Sequence, residues 1–257
     1  MKRHPFLWGC VLVFWGLPQG HATEWKFVAE PLAPFIQQAA GASGQPTGPM
    51  VEVLQAVCGR VQQVCSVEIF PWRRAYKMAE RGEVEGILPF FHAVERERDF
   101  YFSDMVVESA FTVFVVDVSS LKYTQPRDLD GHTVAVYGPS GISMTVEALL
   151  KSGSTGHAEI ELSNMIVLKK LAGGRYGGAD AAVGVLNRDV GLFLLKTEGI
   201  QGLRTAGDLK KVRYGIGLSR RKVSDLQYRQ FNDALKALIQ EGKIKQILDR
   251  YAMKPAA

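Results

Sequence analysis

Short runs of apolar residues alternate along the chain with segments in which apolar residues recur every three or four positions. A brief strand pattern at 25–29 is followed by helical spacing from Pro49 and by an extended apolar run at 65–70. A second helix is predicted to begin at Pro71, and an apolar strand follows from Gly86. Regular alternation between strand and helix patterns is typical of an α/β fold.

The same plan restarts in the second half of the chain, after a polar stretch at 119–130. The apolar run at 111–116, before this stretch, has the composition of a buried strand. A boundary between two structural units is therefore predicted near the polar stretch. Further strands are predicted at 133–137, 160–162, 181–185 and 212–218, and further helices at 142–151, 163–171 and 225–251, the last with a break at Gly242.

The first 22 residues differ in pattern from the rest of the chain. Lys2 and Arg3 precede a continuous apolar run at 6–17, and small residues stand just before Thr23. This order is typical of a secretory signal peptide, so we predict that residues 1–22 are removed and that the mature protein is periplasmic. An uncleaved membrane anchor is the alternative, but the run of about 12 residues is shorter than the roughly 20 that span a bilayer.

The composition is that of a folded chain with one or two domains. The 257 residues are 47% hydrophobic and 22% charged, which excludes a disordered chain and a protein with many membrane spans. The formal net charge of +5 falls to about +3 when Lys2 and Arg3 are removed. Because no long run of Lys or Arg occurs, nucleic acid is not an expected partner.

The cysteines also carry information about the compartment. Loss of the signal peptide removes Cys10 and leaves Cys58 and Cys65, an even pair in a compartment that favours disulfides. A Cys58–Cys65 disulfide with a structural role is therefore predicted. A zinc site is a poor alternative because the spacing is too wide for a C-x2-4-C knuckle and no second ligand pair follows. A redox function is also disfavoured, because the C-x-x-C motif is absent.

Several loose motifs occur in a characteristic order along the chain. They are the loop between Cys58 and Cys65, Glu95-Arg96 followed by Phe102-Ser103-Asp104, the segment 129–136, the glycine-rich segment 172–182 and the strand 214–218. In this order they resemble the periplasmic solute-binding proteins of ABC transporters, in the family best known for polar amino acids, known as solute-binding protein family 3. The sequence resembles a divergent subgroup of that family.

This resemblance implies a two-lobe α/β architecture, the type II periplasmic-binding-protein or Venus-flytrap fold with two crossing hinge strands. Lobe 1 is expected at 23–112 plus 212–257, and lobe 2 at 113–211. The crossing strands are expected at 111–116 and 212–218. A ligand is expected in the cleft between the lobes, which is a favoured position for small-molecule sites.

The resemblance also points to ligand-binding residues. Arg96 aligns with the arginine that grips the ligand carboxylate in this family, a role suited to a planar, bidentate donor; a solvated surface arginine is the alternative. The turn before the predicted helix at 142–151 can receive an anion through Ser140 and Gly141, or Ser140 is a plain N-cap. The candidate ligand-binding residues are Arg96, Trp72, Arg74, Phe91, His92, Tyr137, Ser140, Gly141 and Asn187.

The sequence departs from the family pattern at three places. His92 is the single polar side chain in 89–93, where the family offers hydroxyl groups, and Val185 stands where an acidic residue is expected to hold an ammonium group. Leu32 replaces an aromatic residue that provides a stacking platform. These departures argue against an ordinary free amino acid as ligand. Trp72, Phe90 and Phe91 are candidates for replacing the missing aromatic platform.

Three functions are consistent with these features. The first is capture of a small polar ligand, amino-acid-like or an organic anion, for a membrane ABC permease. The second is an enzyme on the same fold, similar to cyclohexadienyl dehydratase, but no paired-carboxylate or Ser-His-Asp spacing supports it. The third is a sensor that reports ligand occupancy to a membrane receptor. We expect a monomeric binding protein without catalytic activity, cofactor or metal.

Overall fold

The computed structural model describes residues 24–38 and 44–256. The predicted signal peptide at 1–22 and its cleavage site lie outside these residues. Among the residues that are described, no helix is both long and apolar enough to cross a membrane.

The described chain alternates between strands and helices, as the sequence pattern predicts. The strands are β1 (Glu24–Ala29), β2 (Val64–Ile69), β3 (Gly86–Phe91), β4 (Phe100–Phe102), β5 (Val107–Val116), β6 (Thr133–Tyr137), β7 (His157–Glu161), β8 (Ala182–Asn187), β9 (Leu203–Ser219) and β10 (Lys254–Pro255). The helices are α1 (Pro49–Arg60), α2 (Trp72–Glu80), α3 (Gly141–Gly153), α4 (Asn164–Ala172), α5 (Arg188–Thr197), α6 (Asp225–Gln240) and α7 (Lys243–Asp249), with short 3-10 helices at Val94–Arg96 and Pro126–Leu129.

The strands form two parallel groups that are joined by two long antiparallel strands. β1 lies between β2 and β3, parallel to both, and β6 lies between β7 and β8, again parallel to both. The order across the sheet is β2-β1-β3-β9-β5-β8-β6-β7, with β4 paired to β9 and β10 to β5. The long strands β9 and β5 therefore occupy the centre and connect one group to the other.

The two long strands pair with each other over their shared length. The pairing runs from Val107 opposite Tyr214 to Val116 opposite Leu203, with register shifts after Phe111 and after Val113. One end of β9 pairs with β3, while the far part of β5 pairs with β8. The sequence pattern predicted only residues 212–218 of β9, because the preceding residues are polar and lack an apolar run.

The core beside the first group of strands is built from the helical pattern that the sequence predicts. Met50, Val53 and Leu54 of α1 are fully buried, and Phe231 of α6 stacks on Trp25 of β1 with ring centroids 6.1 Å apart. Burial of one such side chain contributes about 1.5–3 kcal/mol relative to exposure. This packing fixes β1 between the helices and the rest of the sheet, and the residue that follows β1 carries part of the candidate site.

The predicted disulfide is present in the structure. Cys58 near the end of α1 is bonded to Cys65 in β2, with their Cα atoms 6.1 Å apart. The bond closes the turn between the helix and the edge strand of the first group. It is therefore a local connection between α1 and β2.

Replacement of both Cys58 and Cys65 by serine is expected to lower the free energy of unfolding by about 2.5 kcal/mol. The loop closed by the bond is short, so the entropy that its opening returns to the unfolded chain is modest. Chemical denaturation of the oxidised protein and the double variant measures the difference. A double variant as stable as the oxidised protein contradicts a stabilising role for the bond.

Candidate functional site

Arg96 lies in a cage of aromatic side chains. Its guanidinium carbon is 4.5 Å from the ring centre of Phe91 and 4.6 Å from that of Phe90, and Trp72 and Tyr76 lie at 5.5 and 5.6 Å. The residue is only 8% exposed, so the alternative of a solvated surface arginine does not describe it. Cation–π contacts of this kind stabilise a positive charge that has lost part of its water.

The guanidinium group of Arg96 has N–H donors that are not used in the hydrogen bonds of the described structure. Its Nη1 donates to the carbonyl oxygen of Phe91 at 3.2 Å, and burial lowers the pKa of Arg96. Within residues 24–38 and 44–256, Arg96 forms no ion pair, whereas the nearby Arg98 pairs with Asp99 at 3.1 Å. An arginine carries five N–H donors, so Arg96 can still receive a carboxylate in the bidentate manner.

Gly141 brings the start of α3 against the end of β3. A Cβ atom built on Gly141 would lie 2.3 Å from Cζ of Phe91 and 3.4 Å from Nη2 of Arg96. No larger residue fits there without movement, because real contacts of a Cβ atom are longer than 3 Å. Arg96, Phe91 and Gly141, which were predicted as ligand-binding residues, are therefore neighbours in the structure.

Ser140 is the N-cap of α3. Its Oγ donates to the carbonyl oxygen of Tyr137 at 2.7 Å and accepts from the backbone N–H of Ser143 at 3.2 Å. The hydroxyl of Ser143 in turn accepts from the backbone N–H of Ser140 at 2.9 Å. These reciprocal bonds fix the turn before the helix. The contacts of Ser140 match the N-cap alternative, and its ligand role stays a prediction.

Asn187 is buried at the end of β8, where its amide fixes the start of α5. The amide oxygen accepts from the backbone N–H groups of Asp189 and Val190 and from the hydroxyl of Ser109, at 3.0–3.2 Å. The amide nitrogen donates to the hydroxyl of Tyr214 at 3.2 Å. The amide oxygen and one of the two amide N–H groups are thus used in these contacts, so a ligand that needs either of them would have to displace an existing hydrogen bond.

Tyr137 meets a carboxyl group that the sequence patterns did not single out. Its hydroxyl donates to Oε2 of Glu30, which follows β1, at 3.3 Å. Burial raises the pKa of Glu30 to about 7 and that of Tyr137 to about 12. Both side chains line a cleft of about 500 Å³ between the two groups of strands, a volume within the range of small-molecule sites.

The remaining candidates lie away from this cleft. Trp72 packs in the aromatic cage beside Arg96, Arg74 is exposed with its guanidinium 4.3 Å from the ring centre of Phe70, and Nε2 of His92 lies 2.6 Å from a carboxylate oxygen of Glu97. Of the nine predicted ligand-binding residues, Tyr137 is the one that lines the cleft.

A signal for Glu30 existed in the sequence, because Glu30 directly follows a buried strand of a parallel group. Ligands bind at the carboxyl ends of such strands.

Comparison with known protein families decides the class of this chain. A profile described as "Bacterial extracellular solute-binding proteins, family 3" matches residues 27–254. The chain belongs to this family. Family 3 members are extracellular or periplasmic solute-binding proteins, and a small-molecule ligand is the partner that the family implies. No curated protein sequence matches the chain significantly.

Solved structures show the same fold at low sequence identity. An ancestral arginine-binding protein bound to arginine has a TM-score of 0.75 and 18% identity, covering 90% of this chain and 99% of its own. A histidine kinase sensor domain similar to periplasmic binding proteins has a TM-score of 0.75 and 17% identity, covering 91% and 98%. An ancestral amino acid-binding protein, a precursor of cyclohexadienyl dehydratase, has a TM-score of 0.72 and 16% identity, covering 88% and 94%. The family 3 protein therefore has the predicted type II periplasmic-binding-protein fold.

Proposed function

We propose that this family 3 protein captures a small polar ligand, amino-acid-like or an organic anion, between its lobes and presents it to a membrane ABC permease. The lobes are 23–112 plus 212–257 and 113–211, and the signal peptide at 1–22 directs the chain to the periplasm. The observation that carries the proposal is Arg96, a buried guanidinium with unused donors close to the start of α3. Such a group favours an anionic partner, because an uncompensated buried charge is costly.

The protein is proposed to act as a monomeric binding protein and not as an enzyme. Among the described residues that line the cleft, Glu30 is the one carboxyl group, so no second carboxyl group stands beside it there. One related fold belongs to a histidine kinase sensor domain, so a sensor receptor is the second candidate partner. Transport and sensing share the same ligand capture, and they differ in the membrane protein that receives the closed form.

A thermal-unfolding screen of the chain from Thr23 tests ligand capture. The compounds are amino acids, opines, polyamines, small organic acids and short peptides. A ligand at 100 times its Kd is expected to add about 2.7 kcal/mol, or roughly 5–10 °C. Arg96→Gln is expected to remove the shift given by an acid, whereas the matched control Arg81→Gln, at an exposed arginine that follows α2, keeps it. A shift that survives Arg96→Gln unchanged overturns the assignment of Arg96, and no shift with any compound overturns ligand capture.

A further inference from the structure

Two rings of the aromatic cage around Arg96 come from α2. Trp72 and Tyr76, the α2 rings, are four positions apart in the sequence, so they lie on the same face of the helix. Their ring centres are 5.8 Å apart, and the guanidinium carbon of Arg96 lies 5.5 Å from the first and 5.6 Å from the second. Both distances are within the roughly 6 Å at which an aromatic ring attracts a cation.

Phe90 of β3 supports the α2 rings. Its ring centre lies 6.2 Å from that of Trp72 and 6.3 Å from that of Tyr76, and its side chain is buried. Trp72 and Tyr76 are only partly buried and pack at the edge of this cluster. Contacts between rings therefore hold the α2 rings in place. Because the α2 rings lie at the edge, we expect substitution of either one to leave the core around Phe90 folded.

Among the described residues, those that contact the guanidinium of Arg96 supply no negative charge. The four rings of the cage are neutral, and burial raises the pKa of Tyr76, so its hydroxyl stays protonated at neutral pH. Phe91 adds a carbonyl oxygen, which accepts from Nη1 at 3.2 Å. Arg98, by comparison, is paired with the carboxylate of Asp99. A carboxylate beside Arg96 would compete with an anionic ligand, whereas aromatic rings hold the cation and leave its charge uncompensated.

The cage and the open side of the guanidinium belong to different parts of the molecule. All four rings of the cage are on α2 and β3, which belong to the first group of strands and its helices. Nη2 instead lies towards the start of α3, 3.4 Å from a Cβ atom built on Gly141. The position of the guanidinium is therefore set without any contact from α3, and one end of it stays available on the side where α3 lies.

We propose that Trp72 and Tyr76 are positioning residues for Arg96, which hold its guanidinium ready for the carboxylate of a ligand whether or not α3 is close. The inference rests on the proposed function and adds two residues that act through Arg96. Without the α2 rings, the ligand itself would have to order a long and flexible side chain. Ordering of this kind weakens binding, so a guanidinium that is already in place binds an anion more tightly.

Solution NMR of the mature protein with isotope-labelled arginine reads the position of the guanidinium without a ligand. The Nε–H signal of Arg96, identified by its absence in Arg96→Lys, is expected to be shifted by the currents of the neighbouring rings. Trp72→Leu and Tyr76→Leu are each expected to move this signal towards those of exposed arginines and to speed its exchange with water. Thermal melts show that the variants are folded.

Tyr101→Leu is the matched control, because Tyr101 is an aromatic residue that covers a different arginine. The guanidinium carbon of Arg220 lies 3.9 Å from its ring centre. This variant is expected to move the signal of Arg220 and to leave that of Arg96 in place.

Calorimetric titration with pentanoate, a simple carboxylate, measures the consequence for binding. Trp72→Leu is expected to bind pentanoate about 3- to 30-fold more weakly than the parent, the range for loss of a cation–π contact to a cation that has lost water. Trp72→Phe keeps an aromatic ring beside Arg96 and is expected to restore most of the affinity. Rescue by a smaller ring separates a contact with the cation from a general need for the bulk of tryptophan.

The two readouts separate failure of this inference from failure of the proposed function. An Arg96 signal that stays in place in both Trp72→Leu and Tyr76→Leu overturns the positioning role, and so does a displaced signal with unchanged affinity for pentanoate. A displaced signal together with no binding of pentanoate to the parent instead overturns carboxylate capture at Arg96, on which the proposed function and this inference both rest.

Discussion

Gly141→Ala is expected to weaken ligand binding by about 10- to 100-fold while changing the melting temperature of the ligand-free protein little. The added Cβ atom would lie 2.3 Å from Cζ of Phe91 in the arrangement that brings β3 and α3 together. The ring has little room to move, because Phe111 and Tyr214 pack edge-on against it and Arg96 lies over its face. Overpacking of this kind costs about 1–3 kcal/mol, and each 1.4 kcal/mol is about a factor of ten in affinity.

We expect the cost to fall mainly on the arrangement in which α3 meets β3, because the two surfaces are expected to separate when the lobes open. Calorimetric titration with the ligand found in the screen measures the loss. Gly59→Ala is the matched control: a Cβ atom there meets nothing within 4 Å, so binding is expected to stay unchanged. Combining Gly141→Ala with Phe91→Ala tests the contact itself, since the two changes should couple in a double-mutant cycle. Unchanged affinity in Gly141→Ala would show that capture does not require this contact.

Glu30→Gln is expected to stabilise the protein at alkaline pH and to have little effect in acid. The folded protein holds the Glu30 proton up to about pH 7, whereas the unfolded chain releases it near the ordinary value of 4.5. Between these values the folded state binds more protons, so stability falls as pH rises and stays low above pH 7. The difference of the two pKa values corresponds to at most about 3 kcal/mol.

Glutamine preserves the acceptor for the hydroxyl of Tyr137 and removes the charge. The variant therefore does not lose stability through this group as the pH rises. Its melting temperature is expected to exceed that of the parent by up to about 6–12 °C at about pH 8.5, and the gap should close towards about pH 4.5. Thermal melts of both proteins across this pH range measure the difference in melting temperature. The contributions of the other ionisable groups are common to both proteins and cancel in this difference. A gap that is constant with pH would mean that Glu30 ionises normally in the folded protein.

The parts of the fold that could be predicted are those with a clear local pattern. β6 was predicted with the bounds that the structure has, because its apolar run is closed by a glycine-rich turn. Ser163 caps α4 as predicted, with its hydroxyl accepting from the backbone N–H of Ile166. The helix α5 was not predicted, since its apolar residues are nearly continuous and Gly191 interrupts them. Gly191 is needed because a Cβ there would lie 2.3 Å from Cζ of Phe114, a contact that no local pattern reveals.

The candidate site was predictable to a similar extent. The resemblance selected Arg96, the missing aromatic platform pointed to Phe91, and the turn before a predicted helix pointed to Gly141; the structure places these three together. It also selected His92, but successive side chains of an extended segment point to opposite sides, and His92 lies at the surface beside Glu97. Glu30 was missed because its environment depends on Tyr137, which is 107 positions away in the chain.

The two long strands that join the halves of the molecule have a mechanical consequence. A two-stranded ribbon bends easily across its plane but resists sliding along its length, because sliding breaks every hydrogen bond of the ladder at once. The register shifts after Phe111 and Val113 weaken the ladder locally and mark where bending is easiest. We therefore expect the halves to approach mainly along the path that bending of this ribbon allows. The path of closure is then expected to contribute to ligand selectivity. A substitution in β5 or β9 is expected to change which ligand fits without contacting the ligand.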